Sequence, residues 1–149
     1  MRYSEKYHYH TKYLILRLGF SDLGSNKRGV LMKILVVDDA NLARAMLRKI
    51  LEDNGYKDIL EAANGVEAVD LYQEHHPALV TMDITMPEMD GITAIKKIIE
   101  IDANANIIVC SALGQKEVVM EAISAGAKHF LVKPFEPDKV IKIIKALLS

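Results

Sequence analysis

The 149-residue chain has no tryptophan and a single cysteine, and aromatic residues make up 6% of it. A core without large rings must be aliphatic, and with half the residues hydrophobic there is material for one. One cysteine excludes an internal disulfide and, with it, the small disulfide-stapled folds. Cys110 stands in the apolar run Ile107-Ile108-Val109-Cys110 and reads as a buried, reduced thiol of a cytosolic protein. A long apolar run is missing as well. The stretch 13–20 is broken by Arg17, short of the roughly 20 residues that a membrane span needs. No small-residue cleavage site follows it, so it is a poor signal peptide. Neither G-x-x-x-x-G-K-[ST] nor G-x-G-x-x-G follows the first strand-like segment, which speaks against a P-loop NTPase or a dinucleotide fold. No G-x-S-x-G elbow is present.

An excess of positive charge is also absent. The net charge is −1, unevenly divided: residues 1–31 carry six Lys/Arg and two Asp/Glu, while 32–149 carry thirteen and eighteen. An acidic main body lacks the basic face that nucleic acid requires as a direct partner.

What is present, from Met32 onward, is a fivefold alternation of strand-like and helix-like segments. Strands are expected at Lys33–Val37, Lys57–Ala62, Leu79–Asp83, Ile107–Cys110 and Phe130–Lys133. Helices are expected at Asn41–Asn54, Gly65–His75, Gly91–Ile101, Gln115–Ala125 and Asp138–Leu148. The first helix shows Leu42, Ala45, Met46, Leu47, Ile50 and Leu51 at helical spacing, with Gly55 as its stop. Asn64 is a candidate cap for the second, Gly126 closes the fourth and Pro137 opens the fifth. His75 and His76 are adjacent, point in different directions on a helix, and read as a solvated helix end. Such alternation implies an α/β protein: a parallel sheet with helices on both faces and right-handed crossovers. Ligands of such sheets bind beyond the carboxyl ends of the strands, where the strand order reverses.

Those ends carry the chemistry. Strand one runs into Asp38-Asp39, strand three ends in Asp83, strand four in Cys110-Ser111 and strand five in Lys133-Pro134. Singly, an acid there is often a helix cap, a serine a loop serine and a lysine a surface lysine; four strand ends together point to a site. Two like charges ~4 Å apart repel by about 4 kcal/mol at an effective dielectric of 20, so three clustered carboxylates suit a cation. All-oxygen ligation fits Mg²⁺ or Mn²⁺. A carboxylate can also attack phosphorus to give an aspartyl phosphate. The cation on one side and Lys133 on the other can offset charge on the phosphoryl oxygens, to which Ser111 can donate a hydrogen bond.

The segments Val36-Val37-Asp38-Asp39, Met82-Asp83-Ile84-Thr85-Met86-Pro87-Glu88-Met89-Asp90-Gly91, Cys110-Ser111-Ala112 and Val132-Lys133-Pro134-Phe135 closely resemble the response-regulator receiver family. The resemblance runs from Met32 to Ser149. It implies the doubly wound, five-stranded flavodoxin/CheY-like sheet of order 2-1-3-4-5, which spacing alone does not give. It further implies that Asp83 is the phosphoacceptor and that Asp38, Asp39, Asp83 and the Thr85 backbone carbonyl serve the cation. Ser111 and Lys133 would attend the phosphoryl group, Ser111 and Phe130 would form the switch pair, and the Lys133-Pro134 bond would be cis. Such a protein is a phosphoacceptor signalling protein rather than an enzyme, catalysing only its own phosphotransfer and dephosphorylation.

The wording around Asp83 and Ser111 is especially similar to the chemotaxis CheY group. That implies a cytoplasmic monomer, a CheA-like histidine kinase as donor, a flagellar motor switch protein or another protein as target, and a phosphatase as a further partner. A phosphorelay intermediate carrier is the alternative within the family. A small aspartate-nucleophile phosphatase is the alternative outside it, although that chemistry wants D-x-D and Thr85 stands two residues after Asp83. Residues 1–31 read as an N-terminal extension, either a disordered or regulatory arm or a translated leader. Lys27-Arg28-Gly29-Val30-Leu31 can be encoded by a purine-rich ribosome-binding stretch ahead of Met32, which favours the leader.

Overall fold

Ile34-Leu35-Val36-Val37 has no polar residue at either parity, so a strand made of it must be covered on both faces. The computed structural model, which describes residues 32–149, bears this out: all four are buried. Five strands, β1 (Ile34–Val37), β2 (Ile59–Ala62), β3 (Leu79–Asp83), β4 (Ile107–Ser111) and β5 (His129–Val132), alternate with five helices. These are α1 (Asn41–Asp53), α2 (Gly65–His75), α3 (Gly91–Ile101), α4 (Lys116–Ala125) and α5 (Pro137–Leu148). Every strand pair is parallel and the order is β2-β1-β3-β4-β5. The order reverses between β1 and β3, which lie side by side at the centre.

Strand residues alternate between two cores. Leu35, Val37, Val80, Met82, Ile107 and Val109 pack under α2, α3 and α4 through Ala68, Tyr72, Ile95, Ile98 and Ala122. Ile34, Val36, Leu79, Ile108 and Cys110 face the other way, against Leu47 and Leu51 of α1 and Val140 and Ile144 of α5. Truncating a side chain such as Leu51 to Ala would cost roughly 2–5 kcal/mol.

The helix starts follow local chemistry. The Asn64 side chain accepts from the Glu67 amide at 2.9 Å and that of Asp90 accepts from the Thr93 amide at 2.8 Å. Pro137 occupies the first turn of α5. Gly126 ends α4 at φ 128°, against Ile99, where a Cβ would lie 2.6 Å from that side chain.

Helical period and burial part company on two helices, and one expectation, for His76, needs correction. Leu42 (73% exposed) and Met46 (45%) are not core residues: α1 is docked along the arc of Leu47 and Leu51, and its apolar stripe is wider than that arc. Val66 of α2 is likewise exposed. His76 is not simply solvated: it caps α2 in the left-handed region at φ 44° and its ring lies 5.4 Å from that of Tyr72. Burial there lowers its pKa, with the Asp102 charge opposing. Tyr72 itself donates to the Asp102 carboxylate at 2.8 Å and so ties α2 to the end of α3. The expectation for residues 1–31 lies outside the described residues. No described helix is long and apolar enough to cross a membrane.

Candidate functional site

Strand register builds the site. Val37 pairs with Met82, Asp83 with Cys110, and Ser111 with Val132. The residues one step beyond β1 and β5, Asp38 and Lys133, therefore flank Asp83 and Ser111 at one edge of the sheet. Carboxylate oxygens of Asp38, Asp39 and Asp83 all lie within 4.8 Å of one another. The Lys133 ammonium bridges two of them, 2.6 Å from Asp38 Oδ2 and 3.4 Å from Asp83 Oδ1. Asp38 is further anchored through Oδ1, which accepts from the Ala40 amide at 2.9 Å. Asp83 Oδ1 accepts from the Ile84 amide at 3.0 Å. Asp38, Asp83 and Ser111 are buried while Asp39 is exposed, so the cluster opens to solvent on the Asp39 side.

The loop after β3 is held close. The Gly91 amide donates to the Ile84 carbonyl at 2.8 Å. A Cβ at Gly91 would stand 2.0 Å from the Asp83 backbone oxygen. Only glycine lets α3 begin this near the acid, and its signal in the sequence is the Asp-Gly pair just before an apolar helix. Opposite, the Lys133 amide donates to the Ser111 carbonyl at 2.7 Å, and the following Lys133-Pro134 bond is cis, as the resemblance implied.

The electrostatics are those of an acidic site that favours a cation. Burial first, and then the Asp38 charge, push the Asp83 carboxyl from 3.8 up to about 6, with Lys133 opposing. Burial alone would lower the Lys133 ammonium, but its hydrogen bond to Asp38 and the charges of Asp83 and Asp38 outweigh burial and raise it. Three carboxylates against one ammonium leave the cluster short of positive charge. Cys110, beside Asp83, is buried and its thiol is pushed up to about 12, which makes it an inert core residue.

The chain thus brings together Asp38, Asp39, Asp83 and Lys133, with Ser111 at the same edge. Thr85 lies two residues past Asp83 in the exposed part of the loop to α3. Phe130 is not in the cluster: it sits on edge strand β5, 44% exposed, beside His129. Arg44, whose guanidinium donates to the Asp38 backbone carbonyl, was missed in the sequence.

The model of the response regulator receiver domain matches residues 34–145. The chain belongs to the response-regulator receiver family. It is 57% identical over 117 residues to the chemotaxis protein CheY of Bacillus subtilis, covering 78% of this chain and 98% of that one. It is also 57% identical over 112 residues to the chemotaxis protein CheY of Thermotoga maritima, 75% and 93% covered. Among solved structures it resembles the CheX-CheY-BeF3-Mg complex from Borrelia burgdorferi, with a TM-score of 0.75 and 40% identity over 79% of this chain and 90% of that one. It is a receiver of two-component signalling.

Proposed function

We propose that this receiver is a phosphorylation switch of chemotaxis. In this reading it takes a phosphoryl group from a CheA-like histidine kinase onto Asp83 and passes the signal on by binding a flagellar motor switch protein. The observation that carries the reading is the convergence of three carboxylates and one ammonium at the carboxyl edge of the sheet. The likeness to two chemotaxis CheY proteins over nearly their whole length favours chemotaxis over a relay carrier. The Borrelia complex pairs a CheY with CheX, and a dephosphorylating partner fits here too. The receiver unit spans Met32 to Ser149, with residues 1–31 outside it.

The donor set suits Mg²⁺: hard oxygens, within ligating distance of one another, on a site where burial and then the Asp38 charge raise the Asp83 carboxyl. Asp38, Asp39 and Asp83 would hold the ion, with the Thr85 backbone carbonyl as a further ligand. Bound there, Mg²⁺ offsets charge on the phosphoryl oxygens. An Asp83 carboxylate oxygen attacks phosphorus; the P–N bond to the donor imidazole breaks as the P–O bond forms, and the imidazole leaves with a proton. Lys133, held positive by its acidic neighbours, balances the charge arriving on Asp83. Ser111 donates to a phosphoryl oxygen by moving toward it, and Phe130 on β5 turns into the space so freed. The surface of α4, β5 and α5 then presents the new state.

The test is labelling with acetyl phosphate or a kinase. Asp83→Asn should take up no label, and chelation of divalent cations should suppress labelling of the parent. Undiminished labelling of Asp83→Asn would remove the proposal.

A further inference from the structure

Arg44 is a cation placed where a cation is unwelcome. It lies one turn into α1, just past the acid pair, and a Mg²⁺ site gains nothing from a positive neighbour. Yet its side chain is only 15% exposed and its donors are committed. Nη1 donates to the Asp38 backbone carbonyl at 2.6 Å, Nε to Glu61 Oε1 at 3.3 Å, and Nη2 to the Asn41 side chain. Glu61 is fixed in turn by Arg48 at 2.7 Å, and Arg48 by Glu52 at 3.0 Å. A planar fork donating in three directions fixes direction in a way that an ammonium cannot.

The carbonyl that Arg44 holds belongs to the peptide joining Asp38 to Asp39. A peptide unit is planar, so fixing its carbonyl fixes the plane from which the Asp39 side chain departs. Asp38 has anchors of its own in the Ala40 amide and Lys133. Asp39 is exposed, and among the described residues no donor holds its carboxylate. What the fold holds for Asp39 is the peptide that carries it, and Glu61 neutralises the charge of the residue that holds that peptide.

We infer that Arg44 is a positioning residue for the cation site, aligning Asp39 through the Asp38–Asp39 peptide. The inference rests on the reading of the acidic cluster as a Mg²⁺ site. Positioning and charge predict opposite signs. Were charge the main effect, removing Arg44 would tighten cation binding; if position is, removal weakens it.

The test is a titration of the full chain with Mg²⁺ alone, followed by amide NMR shifts, with urea midpoints of the metal-free proteins measured in parallel. Arg44→Gln should lose about tenfold in Mg²⁺ affinity, the scale on which groups that orient ligands act. Arg44→Lys, with the charge kept and the fork lost, should lose about threefold. Arg48→Gln, which removes a charge from the same network without touching the Asp38 carbonyl, should stay within about twofold of the parent. Arg44→Gln binding as tightly as the parent, or more tightly, overturns the inference. Should that variant not fold, Arg44→Lys decides, and unchanged affinity there overturns it. A purely structural Arg44 would lower the urea midpoint and leave Mg²⁺ affinity alone, which also overturns it. If the parent binds no Mg²⁺, or Asp39→Ala binds it undiminished, the site reading itself fails and takes the inference with it.

Discussion

Replacing Asp83 by Asn should make the metal-free protein more stable at mildly alkaline pH. Asp83 is 8% exposed and shares its edge of the sheet with Asp38 and Asp39. Burial, then the Asp38 charge, raise its pKa from 3.8 to about 6. Between those values the folded chain holds a proton that the unfolded chain has released, so stability falls as pH rises. This contribution is fully present below pH 3.8 and is lost as pH passes through about 6. At ~1.4 kcal/mol per unit, a shift of about 2 units corresponds to roughly 3 kcal/mol lost by pH 8. Asn has the shape of the neutral carboxyl and its Oδ1 can still accept from the Ile84 amide, while Lys133 keeps its shorter bond to Asp38. The variant should therefore exceed the parent by about 3 kcal/mol at pH 8 and by almost nothing near pH 4. Urea unfolding followed by far-ultraviolet circular dichroism, in chelator, at pH 4, 6 and 8, measures the difference. Added Mg²⁺ should narrow it, because an ion bound by the folded parent stabilises the parent. A variant no more stable than the parent at pH 8, or a gap that widens as pH falls, would refute the electrostatic account of the cluster.

The remaining expectations concern ligand, switch and boundary. Asp39→Ala should weaken Mg²⁺ binding by at least about tenfold, and Glu88→Ala, outside the cluster, far less; equal losses in a Mg²⁺ titration would mean that the ion sits elsewhere. Ser111→Ala should still accept phosphate on Asp83 but transmit it poorly, because a hydrogen bond to a charged group is worth roughly 1.5–3 kcal/mol. Target affinity of the fully phosphorylated variant, equal to that of the phosphorylated parent, would end that idea. A chain beginning at Met32 should fold and accept phosphate like the full one, by thermal melt and labelling; a large loss would make residues 1–31 part of the working protein.

Much of the architecture was legible because period and punctuation agree. α2, β3 and α3 begin and end where the sequence places them, each bounded by a cap, a proline or an acid. Edges failed where pairing, not composition, decides. The sequence extended β2 back to Lys57, but the ladder begins at Ile59, opposite Ile34. It placed Lys133 in β5, which ends at Val132, although the Lys133 amide still bonds to Ser111. Leu42 and Met46 follow helical period yet stay exposed, because period gives an apolar face and only docking says how much of it is covered. The strand order came from resemblance. The acid cluster was legible because four strand ends carry unusual residues at once. Arg44 was not, since an arginine on an amphipathic helix is ordinary and its partner is a backbone carbonyl, which leaves no trace in the sequence.

The cluster is expensive to keep, and in the proposed function that expense drives the switch. The sheet could close its carboxyl edge with neutral side chains; instead it buries Asp38 and Asp83 against a single ammonium. The resulting deficit of positive charge would attract a cation, and a cation held there would make a phosphoryl group tolerable beside two further carboxylates. Phosphorylation then adds about −1.5 to −2 charge and three acceptor oxygens where the donors are already gathered. A swing from 1:99 to 99:1 between two states needs about 5.5 kcal/mol of differential interaction. Ser111 alone cannot supply it at roughly 1.5–3 kcal/mol. Lys133 is placed to contribute the balance: it lies closer to Asp38 than to Asp83, so new charge on Asp83 would draw it across. Since its amide is bonded to the Ser111 carbonyl, such a shift would be felt on the strand that carries Phe130.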